Sequence, residues 1–383
     1  MWRIFYSIAA TLNTITWGVY FSFTRRYIGV DLGGGIHALL LLTGLEWLYV
    51  LFALVAARFS RSIGKRNSVL AGALGSVPLA ISITLRDPTS LALILSTTSL
   101  AWAITWPLVV TAVFSGTNAK FGKVYSLFTI GTGFGYSVGS SIMGLLHYVG
   151  GPKLVFAFCS ILHVATYTIF YAFYPKSEDT EPARDPVPKV PWMRNLGCVF
   201  TAYTLLVFCR EAYYTVAPIK LSMEISRIMS ETSVESQYIA FGILYGGLTA
   251  FLSIPARLAV GYLVDRYEPW MLVATSFALY TASYWLFISL EGIASIFVWQ
   301  LPLYPVVDTS INVLLAKSSS GDSRTHALGA GLAFSAIGGL GVLPLIAHPH
   351  IDPISIGTLI TLSALLGLVI TAYRLALRRS RSY

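Results

Sequence analysis

Charge is scarce in this chain. Only 11% of its 383 residues are Asp, Glu, Lys or Arg, and the 17 acids are outnumbered by 26 Lys and Arg. A soluble domain needs far more charge to cover its surface, so a water-soluble globular fold is excluded. Cysteine is also rare. Cys159, Cys198 and Cys209 fall in or beside apolar runs without paired spacing, which implies neither a disulfide framework nor a metal site. The phosphate-binding G-x-x-x-x-G-K-[ST] loop is missing, as are a G-x-S-x-G elbow, a His-rich metal motif and a paired-Asp signature. Direct ATP drive and intramembrane catalysis are therefore not expected, and no cofactor is implied.

Apolar sequence fills the space that charge leaves. Hydrophobic residues make up 55% of the chain, and the mean hydropathy is +0.70. A helical membrane span needs ~20 mostly apolar residues. Twelve windows meet that need: 4–24, 36–57, 68–85, 89–114, 124–147, 154–174, 196–218, 238–260, 270–290, 293–316, 325–347 and 354–376. The first carries one Arg before it and no small-residue cleavage site, so it reads as a retained helix rather than a signal peptide. With both termini cytoplasmic, roughly 19 of the 26 Lys and Arg lie on the cytoplasmic side of a plasma membrane, as the positive-inside rule expects. The net charge of +9 sits in short loops and a basic C-terminal tail, which fits topology and anionic lipid better than nucleic acid.

Residues 174–195, YPKSEDTEPARDPVPKVPWMRN, break the apolar pattern with five prolines and alternating charges. They read as a cytoplasmic linker between an N-terminal six-helix half, 1–174, and a C-terminal half, 196–383, with the linker proper at 175–195. The halves echo each other. PARLAVGYLVDRY, 255–267, has a degraded copy in ALVAARFSRSIGKR near residue 60, and YSLFTIGTGFGYSVGSSIMG in span 5 aligns with HALGAGLAFSAIGGLGVLPL in span 11, Gly135 with Gly338. Glycines in both stretches would let helices approach closely, either as static packing or at moving interfaces.

On these residues the chain resembles the major facilitator superfamily. Members carry G-x-x-x-D-R-x-G-R-R between spans 2 and 3, often repeated weakly between spans 8 and 9. Here the better copy is the second, Gly261, Asp265 and Arg266, followed by Glu268-Pro269-Trp270. In the first, Ser60 replaces the acid beside Arg61. The antiporter motif of span 5 survives only as Gly135-Tyr136-Ser137-Val138-Gly139-Ser140, without its proline, and the sugar-porter signatures are absent. The resemblance implies an all-α integral membrane protein of twelve transmembrane helices in two pseudo-symmetric halves that moves a small-molecule substrate by alternating access. It implies gating by Gly261, Asp265, Arg266 and Arg61, and a cavity lined by spans 1, 4, 7 and 10.

Those four spans carry polar and aromatic stripes. Gln300, Tyr304, Asp308 and Asn312 recur every four residues in span 10, while span 1 offers Asn13, Trp17 and Tyr20 and span 4 offers Trp102 and Trp106. Arg210 and Glu211 lie mid-span in span 7, where a charge costs ~2.5–3.5 kcal/mol and so faces a cavity or a partner. Arg210, which shares a face with Tyr214, either anchors an anionic group or pairs with Glu211, Asp308 or Glu46. A buried carboxylate can take up and release a proton. Asp308 ranks first for that role, Glu211 second, and Glu46 third because span 2 suits a helix interface. Protons or another ion are then coupled to a small solute, with an organic anion preferred; efflux of amphiphilic or cationic compounds and a non-transporting receptor or scaffold are the alternatives. His163 reads as packing, and His348 and His350 with Asp352 as a solvated turn rather than a metal site.

Overall fold

In lipid a backbone must close its hydrogen bonds within each segment, which leaves helices or closed barrels. In the computed structural model, residues 2–114, 121–175, 191–319, 321–347 and 352–379 are described, and among them every regular element is helical. They form twelve consecutive helical stretches. We number them helix 1 (2–31), 2 (35–63), 3 (65–81), 4 (88–114), 5 (121–150), 6 (152–172), 7 (191–228), 8 (234–266), 9 (269–289), 10 (292–317), 11 (321–347) and 12 (353–379). Eight continuous helices are long and apolar enough to cross a membrane, and one of them, Lys123–Ala172, contains both helix 5 and helix 6. Gly151, at φ 61°, makes the turn between those two, and Pro152 opens the second.

Most predicted boundaries lie within a few residues of these. The end of helix 7 departs furthest. The helix begins at Pro191, inside the predicted linker, and continues to Ile228, ten residues past the predicted limit of 218. The remainder of the linker, 176–190, lies outside the described residues, together with Lys120, His348 and His350.

Several helices depart from α geometry. Helix 1 ends in a π turn, Tyr27–Asp31, helix 8 contains a π segment, Ile243–Gly247, and helix 10 is interrupted between Trp299 and Tyr304. The last two irregularities satisfy each other. A π bulge frees carbonyls, and here Gln300 Nε2 donates to Leu244 O at 2.7 Å, Trp299 Nε1 to Tyr245 O at 2.7 Å, and Ser137 Oγ to Gly247 O at 2.6 Å.

Glycines set the helix spacing, and they do so in the same way in both halves. A Cβ on Gly135 of helix 5 would collide with the Thr11 carbonyl of helix 1, and one on Gly338 of helix 11 with the Thr204 carbonyl of helix 7. The aligned glycines thus seat corresponding helices against each other within each half. Other glycines of the same two helices face the opposite half: Gly144 packs on the Ile239 backbone of helix 8, and Gly329 on the Ala53 carbonyl of helix 2. The halves therefore meet along helices 5 and 8 and along helices 2 and 11.

Candidate functional site

A cavity of about 360 Å³ lies between the halves. Helices 1, 2 and 4 give it Asn13, Trp17, Glu46, Trp47, Trp102 and Trp106, while helices 7, 8 and 10 give it Arg210, Glu211, Tyr214, Arg257, Tyr304 and Asp308. Four of the five indoles lining it among the described residues thus come from the N-terminal half, Trp299 being the fifth, and most of the charges come from the C-terminal half. Asn13 Oδ1 and Trp17 Nε1 are buried with no hydrogen-bond partner among the described residues, which leaves one acceptor and one donor in the wall of helix 1.

Among the described residues three arginines and three carboxylates line the cavity, Arg25, Arg210 and Arg257 with Glu46, Glu211 and Asp308, so their full ionisation sums to zero. Two of the pairs are closed. Arg25 reaches Glu46 with two nitrogens, at 2.5 and 3.2 Å, and Tyr20 donates to the same carboxylate at 2.7 Å. Arg210 Nε lies 2.7 Å from Glu211 Oε1, and its guanidinium sits 5.5 Å from the ring of Trp47 across the half boundary.

The third pair is open. Asp308 accepts from Tyr125 Oη at 3.0 Å and from Asn312 Nδ2 at 3.0 Å, both neutral donors. Tyr125 is on helix 5, so that contact joins the two halves. Among the described residues no carboxylate lies within 4.0 Å of Arg257. Its Nε has Ser253 Oγ at 3.4 Å, and its guanidinium lies 5.5 Å from the ring of Tyr304. A Cβ on Gly133 would come within 3.2 Å of both Arg257 Nε and Ser253 Oγ, so the bare backbone of helix 5 makes room for this arginine.

Of the residues named from sequence, Asn13, Trp17, Trp102, Trp106, Arg210, Glu211, Tyr214, Tyr304 and Asp308 line the cavity. Tyr20 and Gln300 do not. Tyr20 stands behind Glu46, and Gln300 belongs to the break in helix 10, where Thr249 Oγ1 also donates to it at 2.8 Å. The four-residue periodicity expected of span 10 fails there because Leu301-Pro302-Leu303 interrupts the helix. Glu46, expected at a helix interface, is on the cavity wall. Arg25, Tyr125 and Arg257 were not singled out from sequence.

The loop residues lie at the face that carries residues 2 and 379. Asp265 Oδ2 accepts the backbone N–H of Lys123, at 3.1 Å, in the first turn of helix 5, where the helix dipole favours a carboxylate. Its Oδ1 is 3.9 Å from Lys317 Nζ. Arg61 Nη2 lies 3.0 Å from His326 Nε2. The Asp265–Lys123 and Arg61–His326 contacts cross between halves, whereas Arg266 folds back onto Tyr262 of its own helix at 2.5 Å. Gly261 is buried. At the opposite face Arg26 donates to Gln237 O at 3.1 Å and stacks on Tyr238 at 4.1 Å.

Twelve helices in two glycine-matched halves around a charged central cavity are the architecture of a membrane transporter. The Major Facilitator Superfamily profile matches residues 6–343, and the chain belongs to that family. A search of curated proteins finds no match. Among solved structures, the nucleoside transporter NupG superposes with a TM-score of 0.69 at 12% identity, covering 98% of each chain. The human organic anion transporter MFSD10 (TETRAN) superposes with a TM-score of 0.71 at 13% identity, covering 96% of this chain and 97% of that one. Likeness at such identities concerns the fold alone.

Proposed function

We propose that the protein is a secondary-active transporter that moves a small organic anion across the plasma membrane by alternating access, with protons as the coupling ion. Residues 1–174 and 196–383 are the two rocking bodies, and 175–195 joins them on the cytoplasmic side, where both termini lie. The observation that carries this reading is Arg257, the cavity arginine with no carboxylate within 4.0 Å among the described residues. A desolvated guanidinium presents a fork of donors suited to a carboxylate. Arg210 was the candidate anchor on sequence grounds, but its bond to Glu211 supports a structural role instead.

Asp308 is the natural proton carrier, because Glu46 and Glu211 have arginine counter-charges and Asp308 has only hydroxyl and amide donors. Asp265 and Arg61, beside Gly261, hold the cytoplasmic gate shut through their contacts between the halves. Uptake into proteoliposomes under an imposed pH gradient tests the reading. Anion uptake should follow the gradient, stop in Arg257→Gln and lose its pH dependence in Asp308→Asn. Uptake indifferent to the gradient removes the coupling, and preferential movement of cations replaces the reading with efflux of cationic compounds. Ligand binding without flux under any gradient makes the protein a receptor.

A further inference from the structure

We infer that the transported anion is a flat aromatic monoanion. This rests on the anion reading above and adds two statements to it, about the body of the ligand and about its charge.

The charge follows from the census of the cavity. Arg25 and Arg210 are each bonded to a carboxylate, at 2.5 and 2.7 Å, so among the described residues Arg257 is the single cavity guanidinium left for a ligand. A second negative charge would have to displace Glu46 or Glu211 from its arginine, and breaking a buried pair is strongly unfavourable. With Asp308 carrying its coupled proton, as the proposed function has it, this one free cation of the described cavity matches one anionic group.

The body follows from the walls. Trp102 and Trp106 line the cavity as a stacked pair, their ring centroids 6.1 Å apart at 29°. Trp17 adds a third indole from helix 1, and Tyr214 and Tyr304 face them from the other half. Tyr304 also lies beneath the Arg257 guanidinium, so an anionic head placed on Arg257 brings the rest of the molecule among aromatic faces. Rings prefer offset or edge-on contact with other rings, a gain that a saturated ligand of equal size does not obtain. A space of about 360 Å³ admits one small ring system with its head group.

Four ligands separate these statements: benzoate, cyclohexanecarboxylate, benzamide and phthalate, each titrated calorimetrically into the purified wild-type protein at neutral pH. Benzoate should bind about tenfold tighter than cyclohexanecarboxylate, on the order of one aromatic contact, and tighter than phthalate. Equal affinity for benzoate and cyclohexanecarboxylate overturns the aromatic body and leaves the anion reading standing. Tighter binding of phthalate overturns the single charge. Benzamide binding as well as benzoate sinks the anion reading itself, and no binding of benzoate sinks the inference. Trp106→Leu gives a second measure: it should weaken benzoate about tenfold while changing cyclohexanecarboxylate little, and an equal loss for both also overturns the aromatic claim.

Discussion

Replacing Tyr125 with Phe removes one oxygen atom from the contact that joins helix 5 to helix 10. The hydroxyl donates to Asp308 Oδ2 at 3.0 Å. Tyr125 is 1% exposed and Asp308 9%, so water cannot take over the bond while the halves stay together. A hydrogen bond to a charged group contributes ~1.5–3 kcal/mol. If the bond exists only while the halves are closed on this side, its loss shifts the closed-to-open ratio by about 10- to 150-fold, at 1.36 kcal/mol per tenfold. Opening hydrates the carboxylate, which places the expected effect at the lower end, about tenfold. Spin labels at Ser62 and Tyr267, exposed positions at the same face of opposite halves, would report the shift as growth of the longer distance in pulsed-resonance measurements. In an Asp308→Asn background the same substitution should add little, because the two changes remove one interaction. An unchanged distance distribution in Tyr125→Phe would refute the idea that this bond holds the halves together.

Four further outcomes follow from the packing. Arg25→Gln leaves Glu46 buried without its counter-charge and should cost ~3–5 kcal/mol in thermal unfolding, whereas replacing both residues with apolar ones should cost much less. Gly135→Ala drives a methyl into the Thr11 carbonyl and should cost ~1–3 kcal/mol, whereas Gly197→Ala, with nothing within 4 Å, should be neutral or stabilising by the same assay. Gly133→Ala crowds Arg257 Nε at 3.2 Å and should weaken anion binding in calorimetric titration with little change in melting temperature. Asp87 caps helix 4 by accepting the Ser90 N–H at 2.7 Å, a bond that holds its carboxyl below the usual range. A depressed folded-state pKa stabilises above the unfolded value, so Asp87→Ala should lower the melting temperature at neutral pH. The gap to wild type should close as pH falls below about 4.

The helices were legible because lipid allows few alternatives to a run of apolar residues, and the mid-membrane Arg210 and Asp308 stood out because charges there are rare. The end of helix 7 was not. Lys220, Glu224 and Arg227 look like the start of a loop, yet Lys220 donates to Ile288 O and Leu290 O, Glu224 accepts the Gly292 N–H, and Arg227 meets Glu291 at 3.0 Å. These partners lie about 70 residues away in sequence and extend the helix beyond its apolar part. Arg25 was missed for a related reason. Arg25 and Arg26 fall just past residue 24, the predicted end of span 1, but the helix continues as a π turn to Asp31 and keeps Arg25 inside. Arg257 lay in the motif-bearing stretch itself, and its importance depends on Gly133 of another helix, a relation no spacing along the chain expresses.

The repeated part of this protein is its scaffold, and its chemistry is not repeated. Gly135 and Gly338 seat helices on Thr11 and Thr204 alike, but Arg257 and Asp308, the two cavity charges outside the arginine–carboxylate pairs among the described residues, both belong to the C-terminal half. Their neighbours in the other half converge on one element. Helix 5 offers its N-terminal amide at Lys123 to Asp265, its Tyr125 hydroxyl to Asp308, and the bare backbone of Gly133 to Arg257. A change in the charge of the cavity therefore acts on the same helix that Asp265 caps. Three such contacts on one helix give a physical route by which occupation of the site can loosen the seam between the halves, without any element that has to carry the signal farther than about three turns.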